Sequence, residues 1–547
     1  MTWLSSSRRS VSRLCALVVA CGLASLACAR TDLPINYANV TPIGYVTPFG
    51  GAGGGSGDGG ALPAGGPTPT LVPATPPVPG LPAATPRPTQ DTSFAPTQDP
   101  TRPSVLLRQS AEEYTVQRGD SLGLISERYG VTRAEIAEAN GILVTDTLFA
   151  NQVLLIPVPR VQNYGPDLKL IPDSELVYGP GTVGFNLQGF IESQHGYLAT
   201  YIEDVPGELL DGLVEVTPLS GSEIVRIVSQ RYSVNPRLLL AVLEYQSGWV
   251  THPRPSDSTL VYPLRQVEVG REGLFRQLDW AATQLNFGYY AWRVGALVSW
   301  SFGDRALRLT ALGLNAGTVG VQHLFAQLLD VEHWTRAVST QGFILTYWAM
   351  FGNPFALALD PLIPPNLTQP ELVLPFEPGR VWAFTSGPHG AWKSGSAWAA
   401  LDFAPPAEAV GCLPSEEWVA AAAPGLVVRS DYGAVLQDLD SDGYEGTGWV
   451  LFYMHVKQRD RVPVGTYLNV GDRLGHPSCE GGFANGTHVH FARKYNGEWI
   501  SADSSIPFLL DGWVSGGLGK EYDGTLSKDG VAIEACNCRD AVNEISR

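Results

Sequence analysis

The sequence predicts a multidomain chain: a small α+β module, then a helical middle domain, then an all-β C-terminal domain built on antiparallel sheet. Three observations predict it. At 547 residues and 44% apolar side chains the chain is too long for one compact domain yet can bury sizeable cores. A stretch rich in Pro, Gly, Thr and Ala separates its beginning from everything else. Beyond that stretch the apolar period changes from mixed at 111–160, to helical at 222–371, to short strands punctuated by Gly and Asp from 372 onward.

Arg8, Arg9 and Arg13 precede an apolar run from Leu14 to Ala27, short for a membrane span and suited to a secretory signal over residues 1–28. Export is therefore expected, with the mature protein secreted or held at the cell envelope. Cys21 and Cys28 each follow small and apolar residues that suit lipid attachment, so a lipid anchor at one of them is expected, while Ala27-Cys28-Ala29 also suits ordinary cleavage. Residues 29–110 cannot build a core and read as an extended tether or plain linker. The formal charge of −17 excludes nucleic acid as a natural partner. Of seven cysteines, four lie in the C-terminal part; Cys412 is expected to pair with Cys479, whereas Cys536 and Cys538 are too close in sequence to bridge comfortably to each other.

The 111–160 segment runs strand, helix, helix, strand. Tyr114-Thr115-Val116 is extended, Leu122, Ile125 and Tyr129 mark one helical face, and Gly130 stops the helix. Thr132 with Glu135 forms a capping box for a second helix that ends at Asn140-Gly141, and Val153-Leu154-Leu155-Ile156-Pro157 closes the unit. Its Tyr-Thr-Val opening, Gly119-Asp120-Ser121-Leu122, central Asn-Gly and closing Ile-Pro resemble the LysM module. That resemblance implies binding of N-acetylglucosamine-containing glycan in a shallow groove, with Gly119, Asp120, Ser121, Asn140 and Gly141 as candidate glycan-binding residues.

Residues 161–221 show turns and short apolar runs without a clear pattern and read as a connecting segment. From 222 to 371 the pattern is helical, and Pro236 to Leu243 is too apolar for a surface helix. Val234-Asn235-Pro236 through Glu244-Tyr245-Gln246-Ser247-Gly248, with Leu314-Asn315-Ala316-Gly317, resembles the motifs of lytic transglycosylases and other lysozyme-like enzymes. Those enzymes need a carboxylic acid directly before the Ser of the first motif, and here that position is Gln246. Glu244 lies about 200° away round a helix and points elsewhere. The domain is therefore expected to be a non-cleaving relative.

Five of the nine histidines fall in the C-terminal domain, 372–547. His488 and His490 are two apart, so on a strand both imidazoles project from one face while Val489 and Phe491 face the other. A catalytic zinc takes three protein ligands and keeps a fourth position for water, whose pKa falls to about 7. The segment resembles the lysostaphin and staphylolysin type of zinc endopeptidase, which acts on peptidoglycan peptides. Asp402 in Ala400-Leu401-Asp402-Phe403 matches the family's carboxylate, but the residue four before it is Trp398, which cannot bind a metal. Gly387-Pro388-His389-Gly390 matches the staphylolysin-like variant with a longer intervening loop. The resemblance implies one zinc on His389, Asp402 and His490, with His455 and His488 as non-ligand catalytic histidines: one accepts a proton from water and the other stabilises the oxyanion. His476 is expected to be a packed or surface residue. Asp438-Leu439-Asp440-Ser441-Asp442-Gly443 opens like a calcium loop, yet its twelfth position is Trp449 rather than Glu, so an acidic hairpin tip is the better reading. The implied function is an exported zinc metalloendopeptidase of peptidoglycan peptides, brought to the wall by its LysM module. The alternative is a non-catalytic wall-binding protein or an activator of wall hydrolases.

Overall fold

The computed structural model describes residues 110–117, 120–158, 163–212, 215–302, 306–409 and 411–547. The expected signal (1–28), the tether up to residue 109, Cys21, Cys28 and Gly119 lie outside the described residues. Among those described, no helix is long and apolar enough to cross a membrane.

The first module forms as expected. Strands Glu112–Thr115 and Val153–Ile156 pair antiparallel around helices Leu122–Tyr129 and Arg133–Asn140. Ser121 caps the first helix, Gly130 ends it in the left-handed region, and Thr132 with Glu135 completes the capping box. Ile125, Val131, Ile136, Leu154 and Ile156 make its small core.

The middle of the chain departs from expectation at its start. Residues 161–221 are not a patternless connector: they contain a helix, Leu187–Gln194, and an antiparallel pair, Ile202–Pro206 with Val216–Ser220. Leu170, Ile171, Leu176, Ile191, Leu198 and Leu219 belong to the same core as the helices that follow. The turns and short runs concealed this because the segment wraps the helices rather than forming an amphipathic element of its own. The principal helices are Gly221–Tyr232, Pro236–Ser247, Leu274–Arg293, Ala316–Leu328 and Phe343–Phe351. Gln246 is buried at the end of its helix. Glu244 turns away, as its helical position requires, and accepts hydrogen bonds from Val250 N, Thr251 N and Thr251 Oγ1.

The C-terminal domain is all β. Among the described residues its main sheet has nine strands, all antiparallel, and its centre runs in the order Ala434–Asp438, Trp449–Met454, Val489–Tyr495, Ala400–Ala404, Val381–His389. A four-stranded antiparallel sheet follows from Leu509 to Glu534. Because strand residues alternate between faces, each face of the main sheet has its own core. Leu401, Phe403, Leu451, Tyr453, Val489 and Phe491 pack on one side with Phe376, Phe508 and Leu526. Ala400, Leu436, Val450, Phe452, Ala492 and Trp499 join the core of the helical domain on the other.

Buried polar contacts reinforce this seam. Arg293 pairs with Glu498 at 2.7 Å, Tyr289 donates to the same carboxylate at 2.9 Å, and Ser233 Oγ donates to Gly497 O at 2.7 Å. Cys412 and Cys479 are bonded as expected. Contrary to expectation, Cys536 and Cys538 also bond to each other. Cys538 N donates to Cys536 O across a tight turn, and the Cα atoms sit 5.0 Å apart, within the span a disulfide needs. The acidic segment is a hairpin tip: Asp438 accepts from Asp440 N and Gly443 N, and burial pushes its carboxyl up to about 8.

Lys494, fully buried on the helical face of the sheet, gives a measurable consequence. Burial pushes its ammonium from 10.5 down to about 8. Between those values the unfolded chain holds a proton that the folded chain has released, so this group makes stability rise with pH across that window. Lys494→Met should therefore be more stable than the parent by up to about 3 kcal/mol at pH 7. The advantage should shrink as pH rises from 8 toward 10.5 in denaturant unfolding of the two proteins side by side.

Candidate metal centre

His389, Asp402 and His490 converge. His490 and Asp402 are directly opposed on neighbouring strands, and Asp402 lies opposite Ser386 on the next. Two register shifts in the Val381–His389 strand, on either side of Ser386, advance it so that His389 comes opposite Ala400. Gly387 sits in the second shift, where its backbone passes Gly524 so closely that a Cβ would come within 2.5 Å of Gly524 N. The loop from Gly390 to Ala399 then carries Trp398 into the interior, where it is 2% exposed and serves packing.

The donor atoms meet at one point. His389 Nε2 lies 3.0 Å from His490 Nδ1 and 3.3 Å from Asp402 Oδ1, and His490 Nδ1 is 3.1 Å from the same oxygen. All three residues are buried. The far nitrogens decide the chemistry. His389 Nδ1 is 2.8 Å from Gly387 O and His490 Nε2 is 2.9 Å from Ala391 O. A carbonyl only accepts, so in the neutral rings the protons sit on those nitrogens and the lone pairs of His389 Nε2 and His490 Nδ1 face each other beside a carboxylate. Two lone pairs and an anion at about 3 Å repel unless a cation, or a proton on one of the two facing nitrogens, lies among them. Burial works to raise the Asp402 carboxyl, yet the neighbouring His389 and His488 hold it well below the usual range. Burial opposes charge on His389, and Asp402 overrides it and raises that imidazole. The donor set of two imidazole nitrogens and one carboxylate oxygen fits a divalent cation with an open fourth position.

His455 and His488 stand beside this cluster, their ring centroids 4.4 Å apart. His488 Nδ1 donates to Gly486 O at 2.7 Å, leaving Nε2 3.7 Å from Asp402 Oδ2. His455 leaves its strand in the left-handed region, φ 65°, which turns the ring so that Nδ1 donates to Glu480 O at 2.8 Å. Burial holds the His455 imidazole well below its usual value, so it is neutral at physiological pH. All five residues expected from the sequence thus come together. His476 is packed under Trp418, its Nδ1 on Glu417 O.

The four carbonyl anchors were not foreseen, since a carbonyl carries no residue identity. Nor was Tyr522, which stacks on His389 with centroids 4.7 Å apart. In the first module, the candidate glycan-binding side chains have structural partners. Asp120 accepts from Tyr114 Oη and Gln117 N, Ser121 caps a helix, Asn140 exchanges hydrogen bonds with the backbone of Leu155, and Gly141 is a left-handed cap.

Residues 114–157 match the family model of the LysM domain, and residues 169–366 match that of the LasA N-terminal domain. Protease LasA of Pseudomonas aeruginosa strains UCBPP-PA14 and PAO1 is 28% identical over 307 residues, covering 51% of this chain and 67% of the relative. The chain is similar to protease LasA over this stretch and carries a match to the LysM domain. The LasA-type N-terminal match runs from within the presumed connector through most of the helical stretch. Among solved structures, the M23 metalloprotease pseudoalterin from the deep sea is similar at 23% identity, covering 33% of this chain and 99% of its own, with a TM-score of 0.26. The lysostaphin catalytic domain from Staphylococcus simulans is 21% identical over 22% of this chain and 87% of its own, with a TM-score of 0.16.

The lone-pair geometry makes a cation stabilising. Zinc at about a hundred times its Kd should raise unfolding stability of chelator-treated protein by about 3 kcal/mol. His389→Ala and Asp402→Ala should each abolish that rise, and elemental analysis should find the metal lost from both.

Proposed function

We propose that this protein is a zinc metalloendopeptidase that hydrolyses peptide bonds of peptidoglycan outside the cytoplasm, with its LysM module holding it on the glycan. The observation that carries the reading is the convergence of His389 Nε2, His490 Nδ1 and Asp402 Oδ1 with two further imidazoles alongside. Kinship with a protease and the match to a LysM domain support it.

His389, Asp402 and His490 would hold one zinc ion, which supplies Lewis-acid chemistry toward an amide carbonyl and toward water. Asp402 would offset part of the cation's charge, and its Oδ2 lies near His488 Nε2. His455 and His488 each hold Nδ1 against a backbone carbonyl, so Nε2 is the nitrogen each ring offers as a proton acceptor. A ring that takes a proton there becomes a donor at the same atom and can return it to the departing amine. In the helical domain, Gln246 occupies the acid position of the transglycosylase-like motif and Glu244 is tied to the turn that follows. These residues support a non-cleaving role.

The test is incubation of the full chain, with zinc, on purified peptidoglycan, following new amino groups and new reducing sugar ends. New amines are expected, and new sugar ends are not. His488→Ala should lower kcat by about 10²- to 10⁴-fold while keeping the metal, whereas His490→Ala should lose metal and activity together. No amine release by zinc-loaded protein, with His490→Ala indistinguishable from the parent, would leave the non-catalytic wall-binding reading in its place.

A further inference from the structure

We infer that Arg539 is a positioning residue for His488, held in place by the turn that the Cys536–Cys538 disulfide closes. The inference rests on the peptidase reading for its kinetic consequences and on geometry alone for its structural ones.

His488 lies just outside the regular strand that carries His490. Its backbone N donates to Ser478 O at a long 3.4 Å, and the chain enters it through Gly481-Gly482-Phe483-Ala484-Asn485-Gly486, with Phe483 95% exposed. Glycines give such a segment many backbone conformations, so a fixed imidazole at its end needs external restraint. Thr487, immediately before His488, receives it from two sides. Its N donates to Gly411 O at 3.0 Å and its Oγ1 to Leu413 O, both on the loop clamped by the Cys412–Cys479 disulfide.

From the other side comes Arg539. Its Nε donates to Pro405 O at 3.0 Å, Nη1 to Ala409 O at 3.2 Å and Nη2 to Thr487 O at 3.3 Å. Pro405 is three residues beyond Asp402. One planar guanidinium therefore ties the exit of the Asp402 strand to the entrance of His488.

Arg539 is itself anchored to the strand that bears His389. Cys536 N donates to Phe384 O, and Asn543 Nδ2 lies within hydrogen-bond distance of Phe384 O, Cys536 O and Cys538 O at 3.0, 3.1 and 2.9 Å. The disulfide makes the two-residue step from Cys536 to Cys538 a closed ring, so the residue after it leaves in one direction. The strut thus runs from the His389 strand through the cysteine turn and the guanidinium to the backbone that aims His488.

The full chain, zinc-loaded, is compared with Arg539→Ala, Arg539→Lys and the double variant Cys536→Ser, Cys538→Ser. Arg539→Ala should lower kcat about 10- to 100-fold with KM and bound zinc changed less than about twofold. Lysine keeps the charge but not the fork, so it should recover little of that loss. The double serine variant should fall between Arg539→Ala and the parent. Nitrogen-15 histidine spectra of the same proteins should show His488 locked with its proton on Nδ1 in the parent and averaging between tautomers in Arg539→Ala. An unchanged His488 signal in Arg539→Ala overturns the inference, as does full recovery by lysine. An inactive parent defeats the peptidase reading instead, and the histidine spectra then decide the role of Arg539 by themselves.

Discussion

The alternation of side chains along the Val489–Tyr495 strand is the constraint on which the C-terminal half depends. His490, Ala492 and Lys494 project to one side of the sheet, and Val489, Phe491 and Arg493 to the other. The first side holds a metal-ligand candidate, a small residue in the helical domain's core and a buried ammonium beside Ser233. The second is apolar core closed by Arg493 donating to Pro507 O. A one-residue slip would exchange the faces, driving His490 into the apolar core and separating it from Asp402, its direct cross-strand neighbour. Register and the meeting of His490 with Asp402 are therefore one requirement, enforced by hydrophobic packing on both sides.

This coupling explains how much of the site could be read from residue types. The two-residue spacing of His488 and His490 predicts both imidazoles on one face if the strand period holds; the regular strand begins only at Val489, so His488 keeps that side through its bridge to Ser478 and the contacts of Thr487. Asp402 was legible through the resemblance of Ala400-Leu401-Asp402-Phe403 to the family's carboxylate motif, and strand alternation sets it on the face opposite Leu401 and Phe403. His389 is different. Two register shifts separate it from regular pairing, and no periodicity in Val381 to His389 announces them; only the resemblance of Gly387-Pro388-His389-Gly390 to a family pattern pointed there. The carbonyls that orient the four imidazoles are invisible in principle, because any residue supplies one. In the first module the capping box and glycine stops were legible because they act over three or four residues.

The helical domain extends further toward the N-terminus than its local pattern suggests, and the cause is physical. Residues 161–221 gain their order from long-range contacts. Asn315 Nδ2 reaches Asp173, Thr318 Oγ1 receives Leu170 N, and Tyr178 N donates to Ser233 O. A segment whose stabilising partners lie tens to more than a hundred residues away shows no local period. The Cys536–Cys538 bond failed expectation for the opposite reason. Sequence proximity suggested strain, but the local turn brings the Cα atoms to the separation a disulfide requires, and Asn543 bridges its carbonyls.

The same reasoning extends the candidate metal centre beyond the β domain. Ala391 O orients His490, and Ala391 begins a loop seated largely on the helical domain. Lys393 pairs with Asp279 at 2.9 Å, the Arg231 guanidinium lies over Trp392, and Gly395 passes Thr283 O so closely that a Cβ would come within 3.0 Å. Burial opposes the charge of Lys393, and the Tyr232 and Asp279 around it more than offset that cost. The orientation of one ligand nitrogen is thus conveyed through a single carbonyl to a loop whose other face is a helix from the LasA-type domain. The helical domain thus has a physical connection to the candidate site: it supports the loop whose carbonyl orients His490.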